Sequence, residues 1–191
     1  MTAPSPADVC GVVLAAGAGS RMGMPKALMR DAAGRPWLHR AVEMLRAAGC
    51  APILVVLGAR GAEAQTLLPS DGSVVIVHAD RWTGGMSQSL RAGLGAASGD
   101  AALVTLVDLP DLPASVGRSV LDAGVSPTVL RRAVFEGRPG HPVLIGRAHW
   151  APIAHAVRGD AGARAYLEQH GVENVECGML SDGRDIDAPL G

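Results

Sequence analysis

A chain of 191 residues, 48% of them hydrophobic, is long enough to bury a substantial core, and it suits a single domain over 1–191 with 1–7 as a loose tail. A net charge of −1 and 3% aromatic content leave neither an electrostatic footprint nor a stacking platform for nucleic acid. The apolar run over 9–18 is short and follows Asp8, and no stretch approaches the ~18 apolar residues of a membrane helix, so neither a secretory signal nor a membrane partner is expected. Cys10, Cys50 and Cys177 are far apart and form no Cys-x-x-Cys pair, which reads as reduced thiols of a cytoplasmic protein. The six histidines are scattered, without metal-ligand spacing.

In chain order, apolar runs alternate with amphipathic stretches. Residues 9–15 read as a buried strand. A helix is predicted over 37–48, with Leu38, Ala41, Val42 and Leu45 on one face and Gly49 as its C-terminal cap. A strand over 53–57, a helix near 62–68 and a strand over 74–77 follow. Next come a helix over 86–97, a strand over 102–107 and a helix over 113–122. Between 128 and 145 two extended pieces flank Glu136-Gly137-Arg138-Pro139-Gly140, as in a ribbon or edge addition. Helices over 148–157 and 161–169 and a strand over 174–177 complete the chain. The rhythm predicts a three-layer α/β/α, Rossmann-like fold with a mostly parallel sheet and a small β-ribbon addition.

Five segments carry chemistry. The first runs from Leu14 to Lys26 and closes on the only lysine in the chain. Its spacing, Gly17-x-Gly19-x-x-x-Gly23, fits neither a P-loop nor a dinucleotide fingerprint. A loop bending at Gly17 and Gly19 can still wrap phosphates, with Arg21 as a planar fork and Lys26 as a point charge. An ordinary surface lysine after a strand is the plain alternative. Asp108 follows the apolar 103–107 run, where a strand-end carboxylate can hold Mg²⁺ or simply cap the next turn. Asp111 reads as the capping residue of that pair. Asp185-Ile186-Asp187 offers one carboxylate to a site with Ile186 as anchor, or else is a solvated acidic tail. Trp82 to Leu90 opens a helix through Gly84-Gly85, and its N–H groups and hydroxyls can bind an anion or a base edge; capping by Ser87 is the simpler reading. In Gly140-His141-Pro142 the histidine either touches a ligand or is structural.

Together these segments resemble the MobA-like nucleotidyltransferases, and within them the molybdenum cofactor cytidylyltransferases. The resemblance rests on Leu14 to Lys26, Trp82 to Leu90, Val107-Asp108-Leu109-Pro110, Gly140-His141-Pro142, Gly159 to Arg164 and Asp185 to Pro189. It implies an NTP-binding, Mg²⁺-dependent enzyme that attaches NMP to a terminal phosphate and releases pyrophosphate. Carried over residue by residue, Lys26, Arg21 and Asp108 are the catalytic group, with Asp108 and Asp187 as metal ligands. The nucleotide would lie against Leu14, Ala15, Ala16, Gly17, Gly19, Ser20, Arg21, Lys26, Gly85, Met86, Ser87 and Ser89. Leu14-Ala15-Ala16-Gly17, where guanylyl members tend to have Leu-Ala-Gly-Gly, implies CTP. His141, Asp160 and Arg164 become candidates for binding the acceptor, molybdenum-bearing molybdopterin. A molybdoenzyme or its maturation chaperone would be the downstream partner. Leu109 stands where cytidylyl members often carry Gln, and Asp80 near where they carry Asn. A nucleotidyltransferase for a sugar phosphate or other small phosphorylated metabolite is the rival enzyme; a non-catalytic cofactor-delivery protein is the rival of another class. In every enzymatic version, the fold brings Lys26 and Asp108 to opposite sides of one polyphosphate.

Overall fold

The structure is a computed structural model and describes residues 8–20 and 22–186. Strand β1 (Val9–Ala15) is buried along its whole length, as continuous apolar sequence demands when helices cover both faces. Successive side chains face opposite sides: Val9, Val13 and Ala15 enter one apolar layer, Cys10, Val12 and Leu14 the other. The first layer is closed by helix α1 (Trp37–Ala48) and helix α4 (Ala114–Asp122), through Trp37, Leu45, Val116 and Val120. The second is closed by α3 (Met86–Ala96), α5 (Trp150–Ala156) and α6 (Arg164–Gln169), through Leu90, Leu94, Ile153 and Leu167. A short α2 (Gly61–Gln65) packs Ala64 into the first layer.

Seven strands form one sheet: β2 (Ile53–Leu57), β3 (Val74–His78), β4 (Ala101–Leu106), β5 (Leu130–Phe135), β6 (Arg138–Gly146) and β7 (Glu173–Glu176) join β1 in the order β3-β2-β1-β4-β6-β5-β7. Pairing is parallel except where β6 runs against β4 and β5. The ribbon is thus built into the sheet, and a two-residue turn at Glu136-Gly137, both with positive φ, replaces the expected five-residue loop.

The chain steps from β1 to β2 and β3 on one side, then crosses to β4 on the other. The sheet therefore has its switch point between β1 and β4, where open α/β sheets form a crevice beyond the carboxyl ends of the strands. The register Leu14↔Leu106 brings the two strand ends level. The glycine loop leaves one, and Val107-Asp108 leaves the other.

Candidate active site

The loop after β1 is held before it is charged. The Ala16 carbonyl accepts the Ala59 N–H at 3.0 Å. Gly19 adopts φ +63°, and a Cβ there would lie 2.0 Å from the Met24 carbonyl oxygen. The bend is therefore made at Gly19, whereas Gly17, expected to share it, has no positive φ and faces open space in the cleft. Beyond it a single turn of 3₁₀ helix, Lys26–Leu28, buries Ala27 and Leu28 and so aims Lys26 at the end of β4. Gly19→Ala is expected to cost on the order of 2–4 kcal/mol, from left-handed backbone strain plus the clash, and to weaken triphosphate binding in parallel. Urea unfolding and nucleotide titration of the same variant check both effects.

Lys26 Nζ donates to Asp108 Oδ2 at 2.7 Å, with the two side chains only 19% and 14% exposed. The two groups expected to flank a polyphosphate line one cleft and touch within it. Two half-buried opposite charges offset each other's desolvation, so a direct pair is the stable arrangement without a bound polyanion. Asp108 Oδ1 is buried and has no hydrogen-bond partner among the described residues. An unpartnered carboxylate oxygen at a strand end suits a hard divalent cation that takes its other ligands from phosphate oxygens. Among the described residues no group of three or more metal-ligating side chains occurs. Arg21 and Asp187 lie outside the described residues. Their neighbour Ile186 does reach the site: it packs on the first apolar layer, and its N–H donates to the Asp108 carbonyl at 3.0 Å. Asp111 does not cap α4, whose N-cap is Pro113; it pairs instead with Arg40 at 3.0 Å.

Leu14, Ala15, Ala16, Gly17, Gly19, Lys26, Met86 and Asp108 line a cleft of about 190 Å³. Leu14, Met86 and Leu106 form a wall shared with a second, about 260 Å³ chamber over β4 and β6. His141, Asp160 and Arg164 line that second chamber, together with Val104, Val143 and Leu90. The start of α3 stands between the two. Gly85 caps it at φ +90°, so close to the 159–160 loop that a Cβ would meet Asp160 Oδ1 at 2.5 Å. Ser87 donates its N–H to the Gly159 carbonyl at 2.9 Å. Capping by the Ser87 side chain does not occur; its hydroxyl is fully buried without a partner among the described residues, and Ser87 and Ser89 lie beneath the helix start and line neither cavity. Ser20 is exposed on the loop, and Met86 faces both cavities.

His141 is partly buried, and desolvation pushes its pKa down to about 4 against an opposing pull from Asp185. Its imidazole is neutral near pH 7. The unfolded chain takes up a proton near pH 6.5 and the folded one only near 4, so this stability is complete above about 6.5 and is lost as pH falls through that window. The loss is on the order of 2–3 kcal/mol. Urea unfolding at pH 7.5 and 4.5 is expected to show a flatter pH dependence in His141→Gln than in the parent.

One lining residue escaped the motif reading. Arg132 is 7% exposed on β5, yet it reaches the second chamber. The available signal was two successive arginines, Arg131 and Arg132, inside an apolar strand run. Arg131 is spent on structure, donating to the Val120 and Gly124 carbonyls and to Glu173.

The MobA-like NTP transferase domain matches residues 11–175. The chain is 35% identical over 196 aligned residues to nicotine blue oxidoreductase of Paenarthrobacter nicotinovorans, covering 94% of this chain and 92% of that one. It is 25% identical to the molybdenum cofactor cytidylyltransferase of Escherichia coli K12, over 71% of this chain and 69% of the relative. In fold it is similar to Rv0371c of Mycobacterium tuberculosis H37Rv, with a TM-score of 0.79 at 24% identity, covering 96% of this chain and 95% of that one. The same protein has also been solved in complex with manganese, at a TM-score of 0.71 with coverage of 96% and 91%.

Proposed function

Because the chain belongs to the MobA-like NTP transferase family, we propose that it transfers CMP from CTP to the terminal phosphate of molybdenum-bearing molybdopterin, with Mg²⁺, and releases pyrophosphate. The observation that carries this reading is Asp108 at the sheet's switch point: one carboxylate oxygen holds Lys26, the other is buried and unpartnered among the described residues, and the cleft they line shares a wall with a second chamber that could take an acceptor. The similarity to a molybdenum cofactor cytidylyltransferase and the Leu14-Ala15-Ala16-Gly17 strand end support the choice of substrates. A cytoplasmic setting and delivery to a molybdoenzyme or its chaperone belong to the same proposal; among the described residues no helix is long and apolar enough to cross a membrane.

Little side-chain chemistry is needed, since an acceptor phosphate is already a nucleophile. It must be brought in line with the α-phosphorus against charge repulsion. Lys26 exchanges Asp108 for the triphosphate, and its ammonium neutralises charge that builds on the leaving pyrophosphate. Arg21 is assigned the same task. Asp108, with Asp187, would hold Mg²⁺, which would supply charge stabilisation to the triphosphate. The backbone at Ala16, Gly17 and Gly19 would receive the nucleotide, and Met86 and Leu106 line the junction of the two cavities. Incubation with Mg²⁺ and each NTP, with and without molybdenum cofactor, tests the proposal: pyrophosphate is expected only when CTP and cofactor are both present. Pyrophosphate release with a sugar phosphate instead would move the acceptor to that class.

A second reading is a redox enzyme, favoured by the 35% identity to nicotine blue oxidoreductase along nearly the full length of both chains. The apolar walls of the second chamber suit a planar dye or ring system. Loss of nicotine blue colour that requires both the protein and an added electron donor, with no pyrophosphate from any NTP, would establish that reading in place of the first.

A further inference from the structure

Arg132 is a buried charged side chain whose only carboxylate contact among the described residues is a long one, shared with another arginine. Its Nε donates to Asn174 Oδ1 at 2.8 Å, which fixes the plane of the guanidinium. Among the described residues neither terminal nitrogen has a hydrogen-bond partner. Nη1 stands 3.7 Å from Glu168 Oε1, beyond hydrogen-bond range. That carboxylate is bonded at 3.0 Å to Arg164 and is itself half exposed. Arg132 lines the second chamber with Val104, Val143, Leu167 and His141, and it is 93% removed from solvent. A buried guanidinium with an open fork is costly unless a ligand completes it, and the geometry of that fork matches two oxygens of one anion.

We propose that Arg132 forms an oxyanion subsite at the far end of the second chamber, which receives a carboxylate or phosphate group of the acceptor distinct from its reacting phosphate. This rests on reading that chamber as the acceptor side, and it narrows the acceptor class. Arg132 pairs across β5 and β6 with Val143, and Val143 across β6 and β4 with Val104. The subsite is thus two strand spacings, ~10 Å, from the line of β4, and Asp108 lies four residues further along that strand. An acceptor that reaches both carries two anionic groups on the order of 16 Å apart, ~10 Å across the strands and ~13 Å along them, joined by a body that can lie against Leu90, Val104 and Val143. His141 flanks the same chamber in its neutral form and adds no competing charge.

The test is a binding measurement that does not depend on turnover. The folded protein is titrated with inorganic phosphate and, in a separate arm, with acetate, while backbone amide shifts are followed by NMR. Gly140 and Ala163 report the second chamber; Gly17 and Gly19 report the cleft beside Lys26. Saturable shifts at Gly140 and Ala163 are expected in at least one arm, and the arm that gives them identifies the oxyanion as tetrahedral or planar. The apparent Kd is expected to rise at least tenfold in Arg132→Met, less in Arg132→Lys, which keeps the charge but loses the fork, and not at all in Lys26→Ala. If Arg132→Met does not fold, the comparison of Arg132→Lys with Lys26→Ala decides. Shifts confined to Gly17 and Gly19, or binding at the second chamber that is indifferent to Arg132, overturn the subsite. The cytidylyl transfer reading stands or falls separately, on pyrophosphate release.

Discussion

Asp108→Asn is expected to lower Mg²⁺-dependent turnover by at least 10²–10³-fold while strengthening the binding of metal-free triphosphate. The two effects run in opposite directions for one reason. In the parent, Asp108 holds Lys26 at 2.7 Å, so an incoming triphosphate must compete with a carboxylate for the ammonium. The amide is isosteric and neutral. It removes the Asp108 charge that competes with phosphate for Lys26 and leaves the buried oxygen position without the charge that a divalent cation requires. The fold is expected to survive, because Ile186 bonds the Asp108 backbone and not its side chain. Removing one member of a partly buried pair costs about 1–3 kcal/mol, which in a chain of this size lowers Tm by roughly 2–12 °C. Lys26→Ala is expected to lose turnover too, but with weaker triphosphate binding, and the double variant should be little worse than either single one. Equilibrium binding of CTP in EDTA, set beside initial rates in Mg²⁺, gives the result. Weaker metal-free binding in Asp108→Asn would show that the Lys26 pair does not gate the cleft.

Much of the scaffold that holds this pair is legible in the chain itself. β1 and α1 fall where the apolar patterning places them, because a continuous apolar run and a one-sided helical stripe each have a single way to bury themselves. Patterning weakens where tertiary contacts decide. The helix expected over 161–169 begins only at Arg164, since Gly159 and Asp160 are drawn against the start of α3 by the Ser87 N–H. β6 starts at Arg138 because Glu136 and Gly137 alone make the turn, and neither residue type reveals the length of a hairpin loop. At the site, the chemical character of Lys26 and Asp108 is visible in the residues, but their contact joins positions 82 apart and follows from the β1–β4 register. Arg132 went unread for the converse reason. A charged residue within a strand gives no sign of which face it takes, and only the neighbouring α4, α6 and β7 show that Arg131 is consumed while Arg132 keeps donors without a hydrogen-bond partner among the described residues.

The largest effect on stability is expected at Phe135, and it carries a functional consequence that separates it from ordinary core damage. Phe135 is the only phenylalanine in the chain and is 2% exposed. Its ring lies between two glycines: a Cβ on Gly140 would meet it at 2.7 Å and one on Gly183 at 2.1 Å. The ring thus locks β6, just before His141, to the segment that delivers Asp185 and Ile186 to the end of β4. Phe135→Ala removes that packing and leaves a cavity, at a cost of about 3–5 kcal/mol. The urea midpoint should then fall by roughly 1–2 M at unchanged m. Leu45→Ala, in α1 on the first apolar layer, is the control; it should lose about 2–5 kcal/mol and leave turnover at 15 °C unaltered in the folded fraction. Phe135→Ala at the same temperature should lose kcat as well, because the Ile186 N–H bond to the Asp108 carbonyl depends on a segment that the ring no longer clamps. Equal kcat in the two variants would mean that residues 183–186 hold their place without the ring, and that Asp108 is positioned by β4 alone.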